Sequence, residues 1–447
     1  MCGTVRIGSG AGFSGDRLEP AVVLAERGDI AYLGLECLAE RTIALGQLRR
    51  LKDPASGYDP LLERRMELLL PVLKRRRVRL ISNFGSANPI AAGDRIIEIA
   101  RRMGLSVKVA IVTGDDVFDQ IDPQFLAMET GAPLAAFGPL ISANAYLGAY
   151  ALMPALRSDA DVIVTGRVAD PSLFAAPIAH HFGWPLDDLD RMARATVVGH
   201  LLECAAQVSG GYFADPGVKD VSDLANVGFP YADVDADGNA TLGKVAGTGG
   251  LISMATIKEQ LLYEVTDPHA YVTPDVTADF SKVRLHEDAT GSIHVSGAMA
   301  RGRTPTLKVS VGYRAGYLGE GEIAYGGPNA LARARLAGEI VRERIGVAFR
   351  ELRIDLIGST SLHGRSFDAN EQPYEIRMRV AARADTAEAA ARVGEEVEAL
   401  YLNGPAGGGG ARKYVSEQVG IASTLIDREQ VTTSVVYKEW AGEAATV

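Results

Sequence analysis

The chain has 447 residues, of which 47% are hydrophobic and 23% are charged. This composition is that of a folded globular protein, so it excludes a disordered, collagen-like or disulfide-rich chain. The 46 Lys and Arg residues against 56 Asp and Glu residues give a net charge of −10. That balance disfavours a general nucleic-acid surface, because phosphate binding needs a basic face.

Over the first half of the chain, short β-rich runs alternate with amphipathic stretches. Strands are expected at 4–8, 30–35, 78–83, 107–113 and 161–165, and helices at 18–27, 61–75, 93–103, 144–157, 194–208 and 252–264. Alternation of apolar strands with helices predicts a mostly parallel, Rossmann-like sheet that is covered on both faces.

From about residue 303 the pattern changes. Strands are expected at 306–313, 351–357, 374–381 and 431–437, and helices at 329–345 and 386–402. This β-α-β-β-α-β order is that of a ferredoxin-like α+β domain. We therefore predict a Rossmann-like α/β domain at 1–302, with a Gly- and Asp-rich insertion at about 210–302, and a smaller α+β domain at 303–447.

The number of cysteines and the length of the apolar runs restrict which metal sites and which cellular location are expected. Cys2, Cys37 and Cys204 are too few and too widely spaced for a disulfide framework or a zinc cluster. The N-terminal stretch lacks a signal-peptide pattern, and no uncharged run approaches the roughly 18–20 apolar residues that span a bilayer. We expect a cytoplasmic protein with no membrane partner and no bound metal.

A glycine pattern follows the first predicted strand. Gly10, Gly12 and Gly15 match G-x-G-x-x-G, and Glu36 lies at the end of the second strand. In dinucleotide-binding domains such glycines let the backbone approach a pyrophosphate, and the acid binds ribose hydroxyls. The pattern supports an NAD(P) site as one alternative. In a chain with 49 glycines, an ordinary tight turn with a solvated glutamate is the other.

Polar residues follow the later predicted strands. Ligands of open parallel sheets bind beyond the carboxyl ends of the strands, where this sequence has Asn83, Asp115, Arg167 and Asp170. Asn83 is a candidate for cofactor binding, and Asp115 for orienting a reacting group. Arg167 and Asp170 are candidates for binding a carboxylate and for proton transfer. A structural pair between these last two is the alternative.

The predicted helix at 194–208 carries a polar stripe. Thr196, His200, Glu203 and Gln207 share one face of an otherwise apolar helix. A single imidazole beside a carboxyl is typical of a cleft wall that holds a general base. A buried polar stripe whose hydrogen bonds are all satisfied is the alternative.

Two glycine-rich loops are candidate phosphate sites. The first comprises Gly247, Thr248, Gly249 and Gly250 behind Lys244, and the second comprises 404–410, including Gly408 and Gly409, followed by Arg412 and Lys413. Successive backbone N–H groups in such loops form an anion-binding nest. They predict a phosphate or CoA-type ligand, with a mobile linker as the alternative for the second loop.

Several segments also carry a family resemblance. They lie at 38–42 (LAERT), 164–170 (VTGRVAD), 199–204 (GHLLEC) and 207–213 (QVSGGYF), with extensions at 247–250, 259–264, 267–268 and 274–276. In this order they resemble the acyclic terpene utilisation (AtuA-type) family. The resemblance implies work alongside acyl-CoA carboxylases, dehydrogenases and hydratases on branched or isoprenoid acids. Many relatives carry an additional ferredoxin-like domain with an Arg-Ser-Gly-Asp-Lys-Gly stretch that this sequence lacks, which implies a small separate partner chain.

These observations lead to one main hypothesis. The protein is an enzyme of lyase or hydratase type that acts on an anionic small molecule, a CoA thioester or a related branched acid. The expected catalytic residues are His200, Glu203, Arg167, Asp170 and Asp115. An NAD(P)-dependent oxidoreductase and a non-catalytic subunit of an acyl-CoA carboxylase complex are the alternatives, and a homo-oligomer is expected for an enzyme of this size.

Overall fold

The computed structural model describes residues 3–365 and 373–442. The chain divides into two compact units. The first unit comprises Met1–Leu134, Leu140–Gly312 and Ile421–Val447, and the second comprises Ala135–Pro139 and Tyr313–Gly420.

Strands and helices alternate up to residue 203, as the sequence predicts. They are β1 (Val5–Ala11), α1 (Glu19–Arg27), β2 (Tyr32–Leu35), α2 (Glu40–Lys52), α3 (Leu62–Arg76), β3 (Arg79–Ser82), α4 (Pro89–Met103), β4 (Val107–Thr113), β5 (Leu140–Ala145), α5 (Ala149–Arg157), β6 (Val162–Thr165), α6 (Ser172–Phe182) and α7 (Leu189–Glu203). Helices α2 and α6 and strand β5 are not among the predicted elements, and the helix predicted at 144–157 begins only at Ala149.

Strands are more frequent in the rest of the chain. They and the intervening helices are β7 (Pro230–Val234), β8 (Ala240–Lys244), α8 (Met254–Leu262), β9 (Tyr271–Val272), β10 (Thr277–Asp279), β11 (Arg284–Glu287), β12 (Ile293–Ser296), β13 (Met299–Ala300), β14 (Thr306–Gly326), α9 (Ala330–Ile345), β15 (Leu352–Ile357), β16 (Glu375–Ala384), α10 (Ala387–Asn403), β17 (Gly408–Asp427) and β18 (Ser434–Trp440).

The main sheet is mixed. Its ten strands have the order β11-β12-β8-β7-β1-β2-β3-β6-β4-β18. The pairs β1–β2, β2–β3, β3–β6 and β6–β4 are parallel, and the other five are antiparallel. The prediction of a mostly parallel sheet is therefore wrong for the sheet as a whole, and its Rossmann-like character is not confirmed. The chain has a mixed α/β fold.

The antiparallel strands have an identifiable origin. Strands β7, β8, β11 and β12 come from the region expected to be a Gly- and Asp-rich insertion, and they extend one edge of the sheet. At the other edge, β18 pairs with β4. The predicted strand at 431–437 thus belongs to this sheet and does not close the β-α-β-β-α-β order.

The central strands are buried on both faces. Every residue of β2 and of β6 is buried, as expected for apolar strands covered by helices on either side. Helix α4 shows how local sequence sets an element's limits. The Asn88 side chain accepts a hydrogen bond from the Ala91 N–H, Pro89 opens the helix, and Gly104 ends it with φ 66°.

The second unit has its own core. Helices α9 and α10 bury Ala334, Val341, Val393 and Val397 together with residues of β14 and β16. From β14 to β17 the element order is β-α-β-β-α-β, with strands arranged β15-β16-β14-β17. The last strand of this order is β17, and the ferredoxin-like assignment stays a prediction.

Within residues 3–365 and 373–442, every helix is too short or too polar to cross a lipid bilayer.

Candidate functional site

Polar residues gather at the carboxyl edge of the central parallel strands. Glu36 follows β2, Asn83 follows β3, Asp115 follows β4 and Arg167 follows β6. All four are buried. Burial of ionisable groups is costly unless they are paired, and such groups collect at functional sites. Because loops after parallel strands meet where open sheets bind ligands, this edge is the candidate site.

Arg167 lies at the centre of this cluster, with 1% of its surface exposed. Its guanidinium forms an ion pair with Asp170 and donates hydrogen bonds to the carbonyl oxygens of Leu38 and Val168. The Tyr146 ring lies over it, with the ring centroid 4.5 Å from Cζ. The Arg167 side chain is therefore a fixed positive charge. It is paired with Asp170, which is the structural alternative that the sequence analysis gave for these two residues.

Glu36 is a buried carboxyl beside this cation. Its Oε1 accepts hydrogen bonds from the Leu38 N–H at 2.7 Å and from Asn83 Nδ2 at 3.0 Å. Burial and the nearby charge of Asp170 raise the pKa of Glu36 to about 8, against the opposing effect of Arg167. Glu36 therefore holds a proton at neutral pH.

Asp115 orients the strand tip that carries Arg167. Its Oδ2 accepts hydrogen bonds from the Arg167 N–H at 2.8 Å and from Asn144 Nδ2 at 3.0 Å. Burial raises the pKa of Asp115 to about 6, although both hydrogen bonds lower it. Gly166 leaves room for this carboxyl, because a Cβ there would collide with it.

Helix α7 brings His200 and Glu203 together, as predicted. His200 Nδ1 lies 2.8 Å from Glu203 Oε1. Within the described part of the chain, His200 Nε2 and Glu203 Oε2 are buried with no hydrogen-bond partner. Burial raises the pKa of Glu203 to about 7, while His200 lowers it. The pair therefore keeps two buried polar atoms without a partner among the described residues, and a polar stripe with all its hydrogen bonds satisfied stays the alternative to a proton-transfer group.

The end of α7 is held tightly. Ala205, two residues beyond Glu203, has φ 42°, a left-handed conformation that is uncommon for alanine and occurs where strain serves a site. Gly12 packs against this turn, because a Cβ on Gly12 would lie 2.6 Å from the backbone carbon of Cys204. Close packing thus fixes where Glu203 points.

One wall of the site was not predicted. The rings of Tyr271 and Phe280 lie 5.1 and 5.4 Å from the His200 ring, and Gln260 Nε2 donates to the His200 carbonyl at 2.9 Å. Tyr271 and Phe280 come from the region expected to be loops and hairpins. Neither helical nor strand periodicity in the sequence marks these two residues, because only the long-range folding of the chain places them beside His200.

The two groups of residues form one electrostatic cluster. The charge of Asp170 raises the pKa of Glu203 as well as that of Glu36. Partial burial also raises the pKa of Asp170 itself, although Arg167 lowers it. The Asp170 side chain is 36% exposed, so the cluster reaches solvent at this carboxylate.

Glu40 and its two partners, Tyr146 and Lys308, were also missed in the sequence analysis. The Tyr146 hydroxyl donates a hydrogen bond to Glu40, and Lys308 Nζ lies 3.2 Å from Glu40 Oε1. Although burial raises the pKa of Glu40, the Tyr146 hydrogen bond and the charge of Lys308 bring it down to about 2. Glu40 is the acid of the LAERT segment, which was the only signal for it in the sequence.

Gly10 and Gly12 of the G-x-G-x-x-G pattern are closely packed in this structure. Gly10 lies within β1, and the Gly12 N–H donates to the Asp16 carboxylate at 2.8 Å. Helix α1 begins only at Glu19. A pyrophosphate-binding turn needs free N–H groups at a helix start. The Glu36 carboxyl, which was expected to bind ribose hydroxyls, accepts hydrogen bonds within the protein instead. Asn83 is also occupied, since its Oδ1 accepts from the Cys37 N–H at 2.7 Å.

The predicted anion nest at 247–250 is likewise occupied. The N–H groups of Thr248, Gly249 and Gly250 donate to the carbonyl oxygens of Val245, Asn226 and Ser222. Lys244 Nζ donates to the Thr248 carbonyl at 2.7 Å. The loop as it stands offers none of these three N–H groups to an anion.

The second glycine stretch is a loop only over residues 404–407. Gly408, Gly409 and Arg412 lie on β17, and a Cβ on Gly408 would lie 3.2 Å from the Tyr325 ring.

The cluster around Arg167 and His200 lies wholly in the first unit. Among the described residues, no group of three or more His, Cys, Asp and Glu is arranged to hold a metal ion.

Comparison with known proteins gives one match. Residues 5–437 match the family described as acyclic terpene utilisation family protein AtuA. The chain belongs to the AtuA family. This match confirms the resemblance carried by the sequence segments. No curated protein and no solved structure matches the chain. The family description places AtuA proteins in acyclic terpene utilisation and names no reaction.

We expect Gly12→Ala to destabilise the protein by about 1–3 kcal/mol, because the new methyl group would overlap the Cys204 backbone. Gly15→Ala is the matched control, since its Cβ would meet only the movable Phe13 ring at 2.8 Å. Thermal unfolding of both variants checks this. Equal melting temperatures for the two variants would contradict the proposed close packing.

We expect the unfolding free energy to fall as the pH rises from about 5 to about 8. Glu36 has a raised pKa in the folded state, so the folded protein binds a proton there that the unfolded chain has lost. Glu36→Gln should make this decline shallower, because the amide does not titrate. Urea unfolding at several pH values measures it, and an unchanged slope would show that Glu36 is not protonated in the native state.

Proposed function

We propose that this AtuA-family protein is an enzyme of lyase or hydratase type that transfers protons on a CoA thioester or a related branched carboxylic acid. The observation that supports this most is the buried His200–Glu203 pair, in which one atom of each side chain has no partner among the residues that the structure describes. Family membership supports the substrate class, because acyclic terpenes have branched carbon skeletons.

The pair has the properties of a general base. A base works best when its pKa lies near the working pH, and the pKa of Glu203 is raised to about 7. His200 Nε2 and Glu203 Oε2 are the atoms free to take a proton. The base removes a proton next to the substrate carbonyl. The Tyr271 ring packs against the imidazole, and Gln260 holds the main-chain carbonyl of His200.

Glu36 has the properties of the complementary acid. It holds a proton at neutral pH and belongs to the same electrostatic cluster. In a dehydration, the C–H bond next to the carbonyl breaks and its electron pair forms the carbon–carbon double bond. The β-hydroxyl then leaves as water with the proton from the acid. Hydration is the same sequence in reverse.

Arg167 supplies a fixed positive charge in this scheme. Negative charge grows on the carbonyl oxygen as the proton leaves, and a preorganised cation stabilises it without reorganising. Because its guanidinium is committed to Asp170, Leu38 and Val168, Arg167 acts through its field and by holding Asp170. Asp115 fixes Arg167 through its backbone N–H.

Other expectations stay predictions. They are the homo-oligomer, the small separate partner chain and the role as a non-catalytic subunit. An NAD(P)-dependent oxidoreductase has no supporting observation here, because the Gly12 N–H and the Glu36 carboxyl have partners within the protein.

We expect His200→Ala and Glu203→Gln each to slow proton transfer by about 10²–10⁴-fold, the usual contribution of a general base. The readout is exchange of the proton next to the carbonyl, followed by NMR in D₂O with a panel of branched acyl-CoA thioesters and the free acids. His181→Ala is the matched control, because His181 is an exposed histidine at the end of α6. Exchange within about threefold of wild type in both variants would rule out the general base.

We expect the rate to have a bell-shaped pH profile. It rises as Glu203 ionises near pH 7 and falls as Glu36 loses its proton near pH 8. Glu36→Gln should lower the rate and remove the alkaline decline, since no proton is left to lose. Steady-state rates from about pH 5 to about pH 9 test this. An alkaline limb that persists in Glu36→Gln would assign the acid to another group.

A further inference from the structure

A separate cavity of about 260 Å³ lies beside α1 in the first unit. Helix α1 forms one wall, and residues 226–229 and 245–248 form the other. The apolar lining consists of Pro20, Val23, Leu24, Val227, Phe229 and Val245. None of the residues around Arg167 and His200 lines this cavity.

Two guanidinium groups border the cavity. Arg17 Nη1 donates to the Ala225 carbonyl at 2.7 Å, and Arg27 Nη2 donates to the Ala246 carbonyl at 2.7 Å. Each arginine therefore reaches from the α1 side to a carbonyl of the opposite wall. A guanidinium has five N–H donors, so these bonds hold the groups in place and leave other donors free.

The cavity carries surplus positive charge. Glu19, also at the cavity, lies 3.8 Å from Arg17, and an exposed pair of this kind contributes little. Arg27 has no acidic partner within the described residues. Lys244, whose ammonium is bonded to the Thr248 carbonyl, supports the wall. An apolar lining with fixed cations at its border suits an organic anion.

We propose that this cavity binds the phosphate-bearing end of an organic ligand with two phosphate groups, one at Arg17 and the other at Arg27, and with the less polar part against Val23 and Phe229. Each arginine favours phosphate over carboxylate, because a phosphate monoester carries up to two charges and presents three oxygens to the planar donors. The guanidinium groups thus take the role that the 247–250 loop was expected to play.

The position of the cavity links it to the proton-transfer cluster. Arg17 follows Gly12 by five residues, so their Cα atoms are at most ~18 Å apart. Gly12 lies against the backbone of Cys204, which is next to Glu203. We take this proximity to mean that a long ligand anchored at Arg17 extends toward His200. This step rests on the proposed function, since a CoA thioester has a phosphate-bearing end and a distant reacting end.

The test is calorimetric titration of the whole protein with adenosine 3′,5′-bisphosphate, the phosphate-bearing end of CoA. We expect binding by the wild type, at least tenfold weaker binding by Arg17→Ala and by Arg27→Ala, and partial recovery in Arg27→Lys. Arg64→Ala is the matched control, because Arg64 is an exposed arginine on α3 outside the cavity. Circular dichroism checks that each variant is folded.

Three outcomes would overturn the proposal. They are no binding of the bisphosphate by the wild type, binding as tight as that of the wild type by both arginine-to-alanine variants, and tighter arginine-dependent binding of a short branched carboxylate such as 3-methylbutanoate. Proton exchange that depends on Glu203, without bisphosphate binding, would refute the cavity and leave the proposed function standing. Arginine-dependent binding without exchange would do the reverse.

Discussion

One buried positive charge, the guanidinium of Arg167, is the constraint on which the candidate site depends. A buried cation is tolerated only with close partners, and here they are Asp170, the Leu38 carbonyl and the Tyr146 ring. Its charge in turn opposes the rise of the pKa of Glu36. Loss of this one cation would leave buried carboxyl groups without compensation, so stability and site chemistry are joined at Arg167.

The sequence predicts the part of the site that local patterns control. Asp115, Arg167 and Asp170 follow apolar strands, and the carboxyl ends of parallel strands meet at one edge. His200 and Glu203 follow from helical spacing on α7. These inferences need only the helical period of α7 and the parallel pairing of the central strands. The structure has both, although the outer strands of the sheet are antiparallel.

The remainder depends on contacts between distant parts of the chain. Gly12 looks like a phosphate-binding glycine until Cys204 is placed against it. Glu36 looks like a ribose ligand until Asn83 and the Leu38 N–H enclose it. The pairing of β18 with β4 is of the same kind, because a strand's partner is set by long-range packing and not by its own pattern.

A raised carboxyl pKa does not by itself distinguish a catalytic group from a structural one. Burial also raises the pKa of Asp275, yet both of its oxygens accept hydrogen bonds, from the Ala149 N–H at 2.8 Å and from Ser172 Oγ at 2.6 Å. Asp275 therefore fixes the start of α5. The pKa of Glu203 is also raised by burial, but among the described residues its Oε2 has no partner, and neither has Nε2 of the adjacent His200. A buried polar atom without a hydrogen bond lowers the stability of the fold. Proton transfer to a substrate would explain why the protein retains two such atoms.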